Sequence, residues 1–207
     1  MKRLFLTSAV HGVAHDIAKR VNLSKGNKLV FIDTAAEVVT GNKNWLKKDR
    51  RALVKAGFNI TDYTLAGKKK SQLEKDLASF DYIYLSGGDT FYLLEQSQKS
   101  GFASLVKDLV LKRGKTYIGT SAGSIIAGEM VPGYLADKNL KLKNRNGYGF
   151  VNFTIMPHWG DPDFKDRYLK TRLKTVYKKG QGPFILLTNN QYIHVQDKCV
   201  EIINITK

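Results

Sequence analysis

A serine flanked by two glycines is the feature of this chain whose residue types most directly suggest chemistry. Residues 117–128 run from an apolar, β-prone segment into small, helix-permissive residues, with Gly119, Ser121 and Gly123 at the junction. Glycine at both flanking positions lets the backbone turn sharply, so the Ser121 hydroxyl would stand exposed where a strand meets a helix. Two interpretations follow, a catalytic nucleophile or a tight turn whose serine caps the helix.

A nucleophilic serine needs a base close by, and the four histidines of the chain are the candidates. Neutral imidazole can take up a hydroxyl proton near neutral pH. His158 is the best placed, because it directly follows an apolar run that predicts a strand. We expect structural roles for His11, His15 and His194. The sequence therefore pairs Ser121 with His158.

Acyl transfer also needs hydrogen-bond donors for the oxyanion. The backbone N–H of Ala122, directly after the candidate nucleophile, is a natural donor. The glycine pair at 87–88 could bring a second N–H close, because no side chain stands in the way. The alternative for this pair is a plain turn between a strand and a helix.

Alternating strand-like and helix-like segments predict the fold class. Continuous apolar runs such as 28–33 and 82–86 are typical of strands covered on both faces, and helical patterns separate them. We therefore predict a doubly wound, mostly parallel α/β sheet sandwiched by helices. Residues 163–179 predict a charged amphipathic helix, and residues 184–205 predict an antiparallel meander at the sheet edge. Sites in such sheets lie at the carboxyl ends of strands, which would bring 87–90, 119–123 and 157–158 together.

Composition limits the remaining possibilities. The length of 207 residues fits one domain, 1–207, and no signal-peptide core or membrane span is evident, so we expect a soluble, cytoplasmic protein. The one cysteine, Cys199, lies in an apolar run and predicts a buried, reduced thiol. The formal charge of +16 suggests a polyanion partner, but the basic residues are spread without a recognisable nucleic-acid motif. A field that favours small acidic substrates is the milder interpretation.

Three ordered motifs, at residues 85–91, 117–123 and 156–158, resemble those of the peptidase E family. These are the serine aspartyl dipeptidases of peptidase family S51, which are related to cyanophycinases. The resemblance extends from the first strand to residues 192–195. It implies an α/β sandwich similar to class I glutamine amidotransferases, with serine where those enzymes place cysteine.

The resemblance also implies roles for individual residues. The family's nucleophile falls on Ser121 and its base on His158. Its oxyanion donors fall on the backbone amides of Gly88 and Ala122. No metal or other cofactor is implied.

The third member of the catalytic group is where this sequence departs from the family. Aspartyl dipeptidases have a glutamate that orients the histidine, and Asn189 stands at that position. Asparagine can accept the imidazole N–H but brings no full charge. A family aspartate falls near Asp137, with the alignment loose by one residue. Either residue could orient His158, and the alternatives are a solvated loop aspartate and a turn asparagine.

Our hypothesis is a serine hydrolase that cleaves small peptides, with dipeptides carrying an acidic N-terminal residue among its candidate substrates. We expect no membrane association and no nucleic-acid partner, and a homodimer is left open. One alternative is an α/β-hydrolase-type esterase, which fits the order Ser121, Asp137, His158. The other is a non-catalytic binding module that keeps the scaffold and recruits an anionic ligand or nucleic acid, which the charge of +16 and Asn189 favour.

Overall fold

The computed structural model describes residues 1–133, 142–179 and 182–205. Within these ranges the strands are β1 (Arg3–Thr7), β2 (Lys28–Ile32), β3 (Asn59–Tyr63), β4 (Tyr82–Leu85), β5 (Thr116–Thr120), β6 (Thr154–Pro157), β7 (Phe184–Leu187), β8 (Gln191–Gln196) and β9 (Cys199–Asn204). The α-helices are α1 (Ala14–Arg20), α2 (Asn44–Lys55), α3 (Lys70–Asp76), α4 (Thr90–Ser100), α5 (Phe102–Leu111), α6 (Ala122–Ile125), α7 (Lys165–Arg167) and α8 (Leu173–Lys179).

The main sheet confirms the predicted fold class. Among the described residues, seven strands lie in the order β3-β2-β4-β5-β1-β8-β9. The first five of these are mutually parallel, and β8 and β9 are antiparallel at one edge. The chain therefore has a mostly parallel sheet with antiparallel edge strands from its C-terminal part.

The central strands are continuously apolar because helices cover both faces of the sheet. Along β1, Leu4 and Leu6 point into one core and Phe5 into the other, and all three are fully buried. Leucines of α3, α4 and α5 fill the first core, and Ile17 of α1 with Leu53 of α2 lies in the second. Each such buried side chain contributes about 1.5–3 kcal/mol to folding. The two cores hold the carboxyl ends of the parallel strands in fixed positions.

The strand β7 does not join the C-terminal meander, so that part of the prediction is wrong. It pairs in parallel with β6 in a separate two-stranded sheet, with Pro157 opposite Leu187. Only β8 and β9 form the predicted antiparallel pair at the edge. The pairing satisfies the backbone of β6, which has no other strand partner among the described residues. It also sets the chain that follows Pro157 beside the chain that follows Leu187.

The predicted helix over residues 163–179 contains a π-helical segment. A 3-10 turn (Pro162–Phe164) leads into α7, and a π-helix (Tyr168–Arg172) separates α7 from α8. A π-helical turn holds more residues than an α-helical turn, which changes the side chains that face the core. In this segment Tyr168 and Arg172 are the buried residues. Leu169 and Tyr177, apolar and aromatic residues of the same segment, are 51% and 92% exposed.

Two further observations concern surfaces. Cys199 is exposed, so the predicted burial is wrong. The reason is that β9 is the outermost strand and its residues 199–202 are exposed. None of the described helices has both the length and the apolar character that crossing a membrane requires.

Close packing requires glycine at positions 119 and 123 of the elbow, the sharp turn at Ser121 between β5 and α6. A Cβ on Gly119 would lie 2.6 Å from the carbonyl oxygen of Gly123, and a Cβ on Gly123 would lie 2.3 Å from that of Leu85. Helix α6 therefore packs directly on the backbone of β4 and β5, and only glycine permits this approach.

We expect Gly123→Ala to lower the free energy of unfolding by about 3 kcal/mol, because the added methyl group would force α6 away from β4. Urea unfolding followed by circular dichroism measures the change. Gly114→Ala is the matched control: its φ is 68° and no atom lies within 4 Å of the added Cβ, so it should lose about 1 kcal/mol. Equal losses in the two variants would contradict the packing argument.

Candidate active site

Ser121 lies at the sharp turn between β5 and α6. Its backbone has φ of 49° and ψ of −104°, a conformation that costs free energy for a residue other than glycine. Its N–H donates to the Thr7 carbonyl at 3.0 Å, which ties the turn to the end of β1. Gly87 approaches on the other side, where an added Cβ would lie 3.3 Å from Cβ of Ser121. The serine is thus held between the ends of β1 and β4.

His158 follows β6 and faces Ser121. Its Nε2 lies 3.0 Å from Ser121 Oγ, and its Nδ1 lies 2.9 Å from Asn189 Oδ1. The backbone of His158 has φ of 66°, and its N–H donates to Ser8 Oγ at 2.6 Å. Consecutive residues at the end of β1, Thr7 and Ser8, therefore accept the backbone N–H groups of Ser121 and His158.

The hydrogen-bond network fixes which nitrogen of His158 carries the proton. Asn189 Nδ2 donates to the Asp161 carboxylate at 2.8 Å, so its amide oxygen must face His158. That oxygen only accepts, which places the proton on Nδ1 and leaves the Nε2 lone pair for the Ser121 hydroxyl. Ser8 Oγ donates to the same amide oxygen at 3.0 Å.

The environment of the imidazole favours its neutral form. Burial lowers the pKa of His158 below its ordinary value of 6.5, and the hydrogen bond that His158 donates to Asn189 and the charge of Asp161 act in the opposite direction. One ring face stacks on Phe164, with centroids 4.1 Å apart and planes inclined by 19°. The guanidinium of Arg172 lies 5.7 Å from the centroid of the Phe164 ring. A neutral imidazole with Nε2 on the serine is what a general base requires.

The two amides predicted as oxyanion donors lie on either side of the elbow. Gly88 has φ of 133°, and an added Cβ would lie 2.1 Å from the Ala35 carbonyl, so the loop can pass there only as glycine. Ala122 is the first residue of α6, where an N–H has no partner within its own helix. Within the described part of the chain, neither amide donates to a protein acceptor.

These groups open onto a cavity of about 790 Å³. Its wall includes the cations Lys48, Arg167 and Arg172 and the aromatic side chains of Trp45 and Phe164. Ser121 and His158 lie in the same wall. The wall also includes four carboxylates, Asp49, Asp89, Asp161 and Asp163, so it has no excess of positive formal charge. The cavity has room for a small peptide.

His11, which the sequence assigns a structural role, lies in the cavity wall. Its Nδ1 is 2.6 Å from Oδ1 of Asp49, a carboxylate with a 3% exposed side chain. The Tyr84 hydroxyl donates to the other oxygen of Asp49 at 3.3 Å. The position of His11 shortly after β1 was the signal in the sequence for a place in the site, because the end of β1 lies at the same edge as the ends of β4 and β5.

Of the residues proposed from sequence, Ser121, His158 and Asn189 are brought into one hydrogen-bonded row. Asp137 lies outside the described residues. Sequence reasoning missed Ser8 and Asp161. Ser8 follows a strand end, and the rule that predicts sites at carboxyl ends of strands would have found it had it been applied to β1.

Comparison with known proteins identifies relatives along nearly the whole chain. The sequence model of "Peptidase family S51" matches residues 4–203. A Listeria monocytogenes protein named "Uncharacterized peptidase Lmo0363" is 27% identical over 203 residues, covering 96% of each chain. A Drosophila melanogaster protein named "Probable alpha-aspartyl dipeptidase" is 29% identical over 119 residues, covering 58% of this chain and 48% of its own. A crystal structure of a candidate peptidase E from Listeria monocytogenes superimposes with a TM-score of 0.87 at 26% identity, covering 100% of each chain.

The lowered pKa of His158 predicts where the reactivity of Ser121 falls off in acid. Labelling of Ser121 by a fluorophosphonate requires neutral His158, so its rate should fall with a midpoint below pH 6.5. The second-order labelling rate measured from pH 4 to 9 gives this midpoint. His158→Gln should label slowly and without the same midpoint. A midpoint above pH 6.5 in the unmodified protein would contradict the assignment of burial as the main influence.

Proposed function

The chain belongs to peptidase family S51, and from this premise we propose that it is a serine dipeptidase with Ser121 as nucleophile and His158 as base. The observation that carries the proposal is the 3.0 Å contact between Ser121 Oγ and His158 Nε2, with Nδ1 of the ring held by Asn189. Membership of a peptidase family favours this enzyme over the esterase and the binding module.

The first half of the reaction forms an acyl-enzyme. His158 Nε2 takes the hydroxyl proton as Ser121 Oγ bonds to the peptide carbonyl carbon. The carbonyl oxygen becomes an oxyanion, which the N–H groups of Gly88 and Ala122 stabilise. The imidazolium then gives its proton to the leaving amine as the peptide C–N bond breaks.

The second half of the reaction releases the acid. A water molecule gives a proton to His158 Nε2 while its oxygen bonds to the acyl carbon. Collapse of the second tetrahedral intermediate breaks the bond to Ser121 Oγ, and the proton returns from His158 to the serine. Asn189 keeps the imidazole in one orientation through both halves, and in this proposal it occupies the position of the third catalytic member.

Arg172, a buried cation in the cavity wall, favours a substrate with an acidic N-terminal residue. Arg172 is 8% exposed, and its guanidinium lies 5.0 Å from the Tyr168 ring and 3.4 Å from the Pro157 carbonyl. A guanidinium fixed in this way can bind a carboxylate with little loss of conformational freedom. The Drosophila relative is named an alpha-aspartyl dipeptidase, which agrees with an acidic first residue.

The proposal keeps two further expectations from the sequence. A single domain over residues 1–207 agrees with the family match over residues 4–203. A cytoplasmic location stays a prediction from the sequence. Assembly into a homodimer stays open.

We expect Ser121→Ala to lower dipeptide hydrolysis by about 10³-fold or more, because the attacking oxygen is removed. A panel of dipeptides with acidic, basic and neutral first residues, assayed for released amino acid, measures the loss. Ser104→Ala, on the exposed face of α5, removes a hydroxyl elsewhere and should hydrolyse the panel at the original rate. Undiminished hydrolysis by the Ser121 variant would overturn the proposed nucleophile.

A second prediction concerns specificity. Arg172→Gln should reduce the ratio of kcat/KM for an aspartyl dipeptide to that for the matching alanyl dipeptide by at least about tenfold, because a buried cation facing the carboxylate is lost. The ratio cancels any general loss of activity that follows from the contact with Pro157. Arg113→Gln, a surface arginine paired with Asp108, is the control and should leave the ratio unchanged. An unchanged ratio in the Arg172 variant would contradict its role in substrate selection.

A further inference from the structure

The neutral third member leaves a question of charge that the proposed function does not answer. During the reaction His158 becomes an imidazolium, and a carboxylate on Nδ1 is the usual source of the stabilising charge. Asn189 orients the ring but carries no charge. Because burial disfavours the charged form of the ring, His158 would be a weak base if nothing compensated the charge of the imidazolium.

A carboxylate lies one residue further along the same row of hydrogen bonds. Asp161 Oδ2 accepts from Asn189 Nδ2 at 2.8 Å, and Asn189 Oδ1 accepts from His158 Nδ1 at 2.9 Å. The same amide oxygen accepts from Ser8 Oγ at 3.0 Å. The amide of Asn189 therefore lies directly between a negative charge and the imidazole.

The position of Asp161 is fixed from three sides. Its backbone N–H donates to the His158 carbonyl at 3.2 Å, which closes a tight turn directly after the histidine. Its Oδ1 accepts from the backbone N–H of Asp163 at 3.0 Å and caps the 3-10 turn. Its Oδ2 is thereby aimed at Asn189. A carboxylate held in this way is not a freely solvated surface charge.

We propose that Asp161 is a positioning residue that supplies, through the amide of Asn189, the negative charge that Asn189 itself lacks. The inference rests on the proposed function of Ser121 and His158. The carboxylate draws positive charge toward Nδ2 and makes Oδ1 a stronger acceptor for the His158 N–H, as hydrogen bonds in a chain polarise one another. No proton passes along the row, because Asn189 donates and accepts without changing its protonation.

Other charges around the imidazole act in both directions. Arg172, from the π-helical segment, lowers the pKa of His158, while Asp49 of α2 raises it. Asp161 has the larger influence of the two carboxylates. Arg167 lies over the ring of Phe164, which stacks on His158, at 5.3 Å from the Phe164 centroid. Removal of the Asp161 charge takes away the larger of these two carboxylate influences, so the pKa of His158 should fall.

Three variants and a control test this inference. Asp161→Asn removes the charge and keeps the shape. The double variant Asp161→Asn with Asn189→Asp moves the charge onto the residue that contacts Nδ1. Asn189→Ala removes the amide that connects Asp161 to His158. The control, Asp166→Asn, removes the same charge from a 74% exposed side chain in the same segment.

The readouts are the pH dependence of fluorophosphonate labelling of Ser121 and the titration of the His158 ring by nitrogen NMR. Asp161→Asn should shift the acidic midpoint to lower pH and reduce the plateau rate by about tenfold. The double variant should return the midpoint to its original pH or above it. Asn189→Ala should reduce the plateau, and Asp161→Asn added to it should shift the midpoint less than Asp161→Asn does alone. Asp166→Asn should match the unmodified protein.

The outcomes separate this inference from the proposed function. A lower rate at every pH with an unmoved midpoint in Asp161→Asn would mean that Asp161 has only a structural role. A double variant that fails to recover the midpoint would overturn transfer of charge through Asn189. Thermal unfolding of each variant identifies loss of fold, and the NMR titration does not depend on activity. Unlabelled Ser121 in the unmodified protein would contradict the proposed function instead.

Discussion

The parallel pairing of β6 with β7 is the constraint on which the site depends. It sets Pro157 opposite Leu187, so the chain leaves both strands side by side and at the same end. His158 follows the first strand directly, and Asn189 follows the second after one further residue. The 2.9 Å contact between these side chains is therefore a product of strand register. A shift of one residue in that register would turn the side chains to opposite faces and separate base from orienting group.

The end of β1 connects this small sheet to the large one. Thr7 and Ser8 accept the backbone N–H groups of Ser121 and His158, the two non-glycine residues of the site with positive φ. Such conformations cost about 1–3 kcal/mol each and persist only where surrounding contacts determine them. The nucleophile and its base are thus held against the same two residues of a fully buried strand end. Their separation does not depend on a flexible loop.

The sequence predicts the parts of this arrangement that arise from local patterns. Ser121 and its glycines were recognisable because a sharp turn requires small residues, and His158 because it ends an apolar run. The partner of β7 was not predictable. An apolar strand at residues 184–187 that is followed by a hairpin fits an edge meander as well as a separate sheet. The π-helical segment likewise leaves no local pattern, yet it buries Arg172 and exposes Leu169. Asp161 before Pro162 has the composition of an ordinary turn, and its contact with Asn189 exists only once β6 and β7 have paired.

The exposed thiol of Cys199 has a practical consequence for work on this protein. It is the only cysteine in the sequence, and it begins the outermost strand, so its natural partner under oxidising conditions is Cys199 of a second copy. A disulfide between copies would form during storage without reductant and would raise the apparent mass twofold. Molecular-mass measurements therefore need a reducing buffer, or a Cys199→Ser variant, before a dimer is ascribed to non-covalent association.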